Sequence, residues 1–207
     1  MILAALAPLL VLVFALVSHD EPPKRSEQTI AKLYRADGVQ CTAFSIHEAH
    51  QLWVTTRHCV VQNPDATSLI PYADSITIGG QPAGIVFLVS DEDLAVLFRA
   101  GLPTRALELQ AEPPAVGDQV HSMGYPMDAP LLTTFWGHVS TLNIRLGDGL
   151  ICTLYDLRAL PGDSGAPIFT TRSQVVGVVM WTNYGVTGGV PWSALVKLKD
   201  LHAWESS

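Results

Sequence analysis

The chain has 207 residues, of which 48% are apolar, and its formal net charge is −7. This length suits one compact domain or two small barrels that share a cleft, and it leaves no room for a second large domain. Because the 12 Lys and Arg residues are scattered and the balance is acidic, binding to phosphate backbones is disfavoured and nucleic acid is not expected as a partner.

The chain opens with an uncharged apolar run over residues 2–17. As a helix this run would span about 24 Å, which is short of the ~30 Å hydrocarbon layer of a bilayer. It predicts an N-terminal hydrophobic helix at residues 1–17 that serves either as a signal peptide or as a membrane anchor. The polar residues 18–28 that follow are typical of a tether.

Short apolar segments rich in β-branched residues recur along the remainder of the chain, separated by Gly, Pro and Asp. This pattern predicts an all-β fold built from two barrels. Paired prolines and a glycine near residues 110–117 predict the crossing between them, which places barrel one at about 29–110 and barrel two at about 117–207. The predicted strands are TIAKLYR, VQCTAFSI, QLWVTT, SITI, GIVFLV and DLAVLF, followed by QVHSMG, LLTTFWGHVSTLNI, LICTLYD, APIFTT and QVVGVVMW.

A closing helix is predicted near the end of the chain. Leu195, Leu198 and Leu201 recur at helical spacing, and Ser193 stands where a capping residue is expected.

Three short strings carry the chemistry: TTRHCV around His58, DLAVLF opening at Asp93, and PGDSGAP around Ser164. A serine hydroxyl is a poor nucleophile until an imidazole takes its proton, and the imidazole needs a carboxylate to fix its tautomer. We therefore interpret Ser164 as a nucleophile, His58 as its base and Asp93 as the orienting carboxylate, with Asp91 as the fallback. Gly162 allows a turn in which its amide and that of Ser164 can form an oxyanion hole.

The order His, Asp, Ser with a GDSG nucleophile loop resembles the trypsin-like serine proteases over about residues 29–200. The segments VGDQVHSMGYP, TTFWGHVS and GGVPWSALVKL are similar to the second barrel of bacterial high-temperature-requirement proteases. The resemblance implies two six-stranded antiparallel β-barrels and a serine endopeptidase that acts on proteins or peptides through an acyl-enzyme. It implies no cofactor and no metal. The alternative is a catalytically silent protease-fold binding or scaffold protein, whereas an α/β-hydrolase esterase is disfavoured because its triad runs Ser, acid, His.

Cys41 and Cys59 flank the histidine region as in the animal enzymes of this family, where such a pair forms a disulfide. A disulfide needs an oxidising compartment, so it predicts an exported or membrane-anchored protein with the protease domain outside the cytoplasm. Lys24 and Arg25 after the apolar run point the other way by the positive-inside rule, and two buried free thiols are the alternative to the bridge. Cys152 is expected to be a buried thiol.

The resemblance also implies a specificity pocket. Its base lies six positions before the nucleophile, which is Arg158 here, and its wall resembles Met180, Trp181 and Thr182. An arginine at the base would favour an acidic side chain before the cut. In the alternative, Arg158 points outward or pairs with Asp156, which leaves an apolar pocket.

Asp163 poses a separate question. Animal enzymes of the family pair this carboxylate with a new amino terminus, but no Ile-Val-Gly-Gly start is found in this sequence. Asp163 must therefore be hydrogen-bonded locally or exposed, because a buried unpaired carboxylate is costly.

Overall fold

The computed structural model describes residues 29–47, 51–61, 76–89, 92–101, 105–127, 129–147, 149–183 and 185–198. Within them, twelve strands form two closed antiparallel barrels, each of six strands. The strands of barrel one are β1 (Ile30–Arg35), β2 (Gln40–His47), β3 (Leu52–Thr56), β4 (Ile76–Ile78), β5 (Gln81–Val89) and β6 (Leu94–Arg99). Those of barrel two are β7 (Gln119–Gly124), β8 (Thr133–Arg145), β9 (Ile151–Tyr155), β10 (Pro167–Thr170), β11 (Val175–Asn183) and β12 (Val186–Val190).

The all-β class and the two six-stranded barrels are thus confirmed. The neighbours in barrel one follow the order β1-β2-β3-β6-β5-β4, and those in barrel two the order β10-β11-β12-β9-β8-β7. The sequence pattern predicts every strand except β12.

Strand β6 shows why such short apolar runs build this fold. Successive side chains of a strand point to opposite faces. Ala95 and Leu97 belong to the apolar cluster of barrel one, whereas Leu94 and Val96 belong to the cluster shared by the two barrels. All four are fully buried, and each large apolar side chain buried in this way contributes about 1.5–3 kcal/mol. The strand is apolar at consecutive positions because both of its faces are covered.

The connection between the barrels follows the surface of barrel two. Leu109 forms an isolated parallel bridge with Val175, in which the amide of Gln110 donates to the carbonyl of Val175 at 2.9 Å. The amide of Val175 in turn donates to the carbonyl of Glu108 at 2.8 Å.

The chain closes with a short helix, α1 (Trp192–Val196). Leu195 and Leu198 are buried as expected. The predicted cap is wrong: Pro191 occupies the N-cap position, and Ser193 lies inside the helix. Pro191 has an extended backbone, and its carbonyl accepts from the amide of Ala194 at 3.0 Å, so the helix begins on a backbone acceptor and without a capping side chain. Leu201 lies outside the described residues.

No helix in the described part of the chain is both long enough and apolar enough to cross a membrane. The predicted N-terminal hydrophobic helix at residues 1–17 and the tether at 18–28 lie outside the described residues. Both therefore stay predictions.

Candidate active site

The register of barrel one brings His58 and Asp93 together. Strands β3 and β6 pair so that Thr56 lies opposite Leu94. His58 stands in the 3-10 helix directly after β3, and Asp93 stands directly before β6. As a result, Nδ1 of His58 lies 2.7 Å from Oδ2 of Asp93, and the backbone amide of His58 donates to Oδ1 at 2.9 Å.

The backbone around this pair is tightly fixed. Asp93 has φ +51°, a left-handed conformation that a residue with a Cβ adopts at some cost. Its carbonyl accepts a hydrogen bond from the amide of Arg57 at 2.9 Å. On the other side, Nη1 of Arg35 donates to the carbonyl of His58 at 3.1 Å, and Arg35 is itself held by the Asp37 carboxylate at 2.7 Å.

The loop that carries Ser164 comes from barrel two and lies against strand β2 of barrel one. The amide of Thr42 donates to the carbonyl of Ser164 at 2.8 Å, and the Thr42 hydroxyl donates to the carbonyl of Gly162 at 3.0 Å. The same hydroxyl accepts from the amide of Tyr125 at 3.0 Å. A Cβ on Gly165 would stand only 2.1 Å from the carbonyl oxygen of Thr42. Thr42 therefore anchors the nucleophile loop to strand β2 through these hydrogen bonds.

Sequence reasoning did not single out Thr42. It is one of several threonines at strand positions, and only its place next to Cys41 distinguishes it. Its role depends on a contact between residues more than a hundred positions apart, which no local pattern contains.

Ser164 and His58 border the same disulfide. A ring nitrogen of His58 lies within 4.8 Å of Sγ of Cys59, and that sulfur lies 3.8 Å from the carbonyl oxygen of Ser164. The Ser164 hydroxyl donates to the carbonyl of Met180 at 3.2 Å. Among the described residues, no hydrogen bond joins it to His58. A change of its side-chain rotamer would be needed to turn the hydroxyl toward the imidazole.

Two backbone amides of the nucleophile loop differ from their neighbours, because those of Asp163 and Gly165 donate to protein carbonyls. In the described part of the chain, the amides of Gly162 and Ser164 have no protein acceptor. Gly162 has φ +97°, and a Cβ there would lie 2.5 Å from the amide nitrogen of Met127. Only glycine fits this turn without displacing its neighbours. Free amides beside a candidate nucleophile are what an oxyanion hole requires.

Asp163 lies between these two residues and is buried, with 1% of its surface exposed. Its Oδ2 accepts a hydrogen bond from the amide of Leu160 at 2.9 Å. Of the two expectations for Asp163, a local hydrogen bond or exposure to solvent, the structure shows the local hydrogen bond. Its Oδ1 has no partner among the described residues. Burial raises the pKa of Asp163 to about 6, although the Leu160 amide acts in the opposite direction.

The structure contains the disulfide between Cys41 and Cys59, whereas Cys152 is a buried thiol outside that disulfide. Cys41, Cys59 and His58 could be mistaken for a metal site, because their ligand atoms lie within 4.8 Å of one another. Zinc binds cysteine as a thiolate, and the disulfide removes both thiolates.

The candidate specificity residues differ in their surroundings. Met180 is buried and binds the Ser164 hydroxyl through its carbonyl, and Trp181 packs over Gly188. Thr182 is exposed, and its hydroxyl donates to the carbonyl of Val186 at 3.3 Å.

Arg158 is exposed, and Asp156, its expected ion-pair partner in the alternative, contacts His138 instead. The Asp156 carboxylate accepts from the backbone amide of His138 and lies 3.4 Å from Nδ1 of the same residue.

Two closed antiparallel barrels of six strands each are the architecture of the two-barrel serine peptidases. A family model described as a trypsin-like peptidase domain matches residues 41–178, which is more than half of the chain. The chain therefore belongs to this family and is a trypsin-like serine peptidase, as the sequence resemblance implied.

Solved structures support the same fold. The active form of the Rv3671c protease from M. tuberculosis is 22% identical, with a TM-score of 0.64 over 87% of this chain and 86% of that one. The inactive form of the Rv3671c protease is 20% identical, with a TM-score of 0.66 over 86% of this chain and 93% of that one. No curated protein matches the chain.

Proposed function

We propose that the chain is a serine endopeptidase that hydrolyses peptide bonds through an acyl-enzyme. Ser164 is the nucleophile, His58 the general base and acid, and Asp93 the orienting carboxylate. The observation that carries this proposal is the double contact of Asp93 with His58 beside the Ser164 loop.

The first half of the reaction forms the acyl-enzyme. As Oγ of Ser164 attacks the carbonyl carbon of the substrate, its proton passes to Nε2 of His58, because Nδ1 is occupied by Asp93. The carbonyl oxygen becomes an oxyanion, which the free amides of Gly162 and Ser164 can stabilise. The intermediate then collapses: the C–N bond breaks, and His58 gives its proton to the departing amine.

The second half regenerates the enzyme. A water molecule gives a proton to His58 and attacks the acyl carbon, so that a second oxyanion forms at the same amides. Collapse breaks the ester bond, and His58 returns the proton to Oγ of Ser164. No group other than the substrate and water is consumed.

The bond between Ser164 and the Met180 carbonyl must open before attack. Catalytic hydrogen bonds are often long or misaligned until substrate binds. The present rotamer is therefore compatible with an enzyme whose serine turns toward His58 on binding.

A fluorophosphonate probe tests this proposal, because it reacts covalently only with an activated serine. We expect labelling of the folded protein that disappears in Ser164→Ala and persists in Ser140→Ala, which removes an exposed serine hydroxyl on β8. Folded wild-type protein that resists labelling would instead support the protease-fold binding protein.

We extend the proposal to specificity. Arg158 is exposed, and the Asp156 carboxylate that could have neutralised it is bound to His138. Arg158 therefore does not depend on Asp156, but its exposure equally fits the outward orientation that would leave an apolar pocket. The proposal rests on charge complementarity between an arginine and an acidic side chain before the cut. A peptide library should show enrichment of Glu and Asp at that position, and the enrichment should vanish in Arg158→Gln. A preference for apolar residues in the wild type would overturn this part of the proposal.

We also propose that the domain works outside the cytoplasm, released from a signal peptide or held by an anchor at residues 1–17. The disulfide supports this location, because such bonds persist in oxidising compartments. Mass spectrometry of the mature amino terminus distinguishes the two forms: loss of residues 1–17 indicates a signal peptide, and their retention indicates an anchor.

A further inference from the structure

An ion pair links the residue before Asp93 to the C-terminal helix. Oε1 of Glu92 accepts a hydrogen bond from Nζ of Lys197 at 2.6 Å. Glu92 precedes β6 of barrel one, whereas Lys197 is the C-cap residue of α1, which follows the last strand of barrel two. The pair therefore connects the two halves of the chain next to the proposed triad.

The two partners depend on this contact unequally. Glu92 is buried, with 8% of its surface exposed, whereas the side chain of Lys197 is 60% exposed. Water can solvate the lysine without Glu92, and an exposed ion pair as such contributes little. A buried carboxylate needs a partner, and in the described part of the chain Lys197 is the one found for Glu92. Removing Lys197 would therefore leave the buried Glu92 carboxylate without this ion-pair partner.

The position of Glu92 sets the position of Asp93. Asp93 has φ +51°, and a residue stays in such a conformation only where its surroundings fix it. After Asp93, the chain is fixed by Leu94, which belongs to the same apolar cluster as Leu195 and Leu198 of the C-terminal segment. Before Asp93, Val89 pairs with Leu94 at the end of β5, and the bond of Glu92 to Lys197 adds a contact at the residue directly preceding Asp93.

We propose that Lys197 and Glu92 are positioning residues of the active site: their ion pair holds the Asp93 loop so that its carboxylate stays on Nδ1 of His58. This inference rests on the proposed function of the triad. It means that the C-terminal helix, far from Asp93 in the sequence, helps to set the geometry of catalysis.

Fluorophosphonate labelling of the full chain tests the inference, with the maximum labelling rate measured separately from the half-saturating probe concentration. In Lys197→Met we expect the maximum rate to fall about tenfold at an unchanged half-saturating concentration, because the orientation of His58 is impaired and the probe site is not. Lys197→Arg keeps the charge and should restore most of the rate. The exchanged pair Glu92→Lys with Lys197→Glu should be faster than Lys197→Met.

Arg172→Met is the matched control, because it removes one exposed positive charge from the turn between β10 and β11. Its labelling rate should equal that of the wild type. If Lys197→Met does not fold, Glu92→Gln removes the charge from the other partner, keeps the side-chain shape and should also slow labelling.

The outcomes are distinguishable. A folded Lys197→Met protein that is labelled as fast as the wild type overturns the inference and leaves the proposed triad intact. The inference is also overturned if Lys197→Met and Lys197→Arg reduce the maximum labelling rate equally. It is overturned as well if Lys197→Met raises the half-saturating probe concentration and leaves the maximum rate unchanged. Absence of labelling in the wild type overturns the proposed function itself.

Discussion

The carboxylate of Asp93 binds both a ring nitrogen and the backbone amide of His58, at 2.7 Å and 2.9 Å. This double contact fixes the ring and the chain segment that carries it. Because Nδ1 donates to the carboxylate, the neutral imidazole presents its lone pair at Nε2, where it can accept a proton.

Replacing Asp93 with asparagine should separate this electrostatic role from simple packing. In Asp93→Asn the side chain keeps its size, but its amide group can donate to Nδ1 and favour the tautomer that has no lone pair at Nε2. We expect the fluorophosphonate labelling rate to fall by about 10³–10⁴-fold while the protein stays folded. A labelling rate close to that of the wild type would contradict the assignment of Asp93.

Thr42 should matter for both stability and labelling. Its buried hydroxyl binds the carbonyl of Gly162 and the amide of Tyr125. Thr42→Val removes both of these buried hydrogen bonds, so we expect a loss of about 1–3 kcal/mol in the free energy of unfolding and slower labelling of Ser164. Urea denaturation and fluorophosphonate kinetics measure the two effects.

Thr170→Val is the control for that experiment. Its hydroxyl serves the turn at the other end of β10, where it donates to the carbonyl of Gln174 at 3.4 Å. This variant should be less stable than the wild type but be labelled at the wild-type rate. Equal slowing in both variants would mean that the loss of stability, and not the support of the nucleophile loop, limits labelling.

The strands and the contact between His58 and Asp93 were predictable where the local sequence itself shows the structural constraint. In DLAVLF, the unbroken apolar run predicts that both faces of β6 are buried, and the polar Asp93 directly precedes the first residue of the strand. The same logic applies to LWVTT before His58. Since β3 and β6 are neighbours, finding their ends amounted to finding the contact between His58 and Asp93.

Strand β12 was missed for the opposite reason. Its sequence, VTGGV, contains two glycines, which are depleted in strands. They are required here because side chains from other strands cover them: a Cβ on Gly188 would lie 2.2 Å from the Trp181 ring, and one on Gly189 would lie 2.8 Å from the Tyr155 ring. The strand propensity of a short segment therefore cannot predict β12, because its glycines are required by side chains that are distant in the sequence.

Features of the site that depend on distant contacts were likewise out of reach. The left-handed backbone of Asp93, the bond of Ser164 to the Met180 carbonyl and the ion pair of Glu92 with Lys197 arise only after the barrels have closed. The bond of Ser164 and the ion pair of Glu92 join residues 16 and 105 positions apart, and the sequence near each residue gives no sign of the contact.

Thiol chemistry should reveal the disulfide. A thiol reagent should modify one cysteine, Cys152, in unfolded unreduced protein, and all three after reduction. The double variant Cys41→Ser with Cys59→Ser should lose about 3 kcal/mol of the free energy of unfolding, because its unfolded chain is no longer cross-linked. Thiol counting by mass spectrometry and denaturant unfolding check these points, and three free thiols before reduction would rule out the bond.

Two glycines with similar backbone angles should respond differently to alanine. Gly162 and Gly117 have φ of +97° and +91°, but a Cβ on Gly162 would lie 2.5 Å from the Met127 amide nitrogen, whereas nothing lies within 4 Å of one on Gly117. Gly117→Ala should cost about 1–2 kcal/mol from backbone strain alone. Gly162→Ala should cost about 3–5 kcal/mol, because overpacking is added to that strain.

The same pair tests the oxyanion hole. Gly162→Ala displaces a free amide of the nucleophile loop and should slow labelling by about 100-fold in the protein that remains folded. Gly117→Ala should be labelled at the wild-type rate. If Gly162→Ala matched Gly117→Ala in both stability and rate, the turn at Gly162 would not have the geometry described.

Asp163 should make stability depend on pH in a direction unusual for a carboxylate. Burial raises its pKa from 3.8 to about 6. Between these values, the folded chain holds a proton on Asp163 that the unfolded chain has released. Raising the pH through this window therefore removes stability, by up to about 2–3 kcal/mol. In Asp163→Asn the amide oxygen can still accept from Leu160 and nothing titrates, so the variant should gain stability relative to the wild type as the pH rises from about 4 to 6.

Asp37 supplies the comparison, because a hydrogen bond from Arg35 lowers its pKa. The wild type should lose the stability that this pair contributes as the pH falls through the lowered pKa, so Asp37→Asn should differ from the wild type most at neutral pH. Its pH dependence therefore has the opposite sign. Denaturant unfolding measures these differences: the wild type and Asp37→Asn are compared from about pH 2 to 5, which includes the lowered pKa of Asp37, and the wild type and Asp163→Asn from about pH 4 to 7. A stability difference between Asp163→Asn and the wild type that stayed constant over this range would show that Asp163 remains ionised in the folded protein, with a partner for its second oxygen.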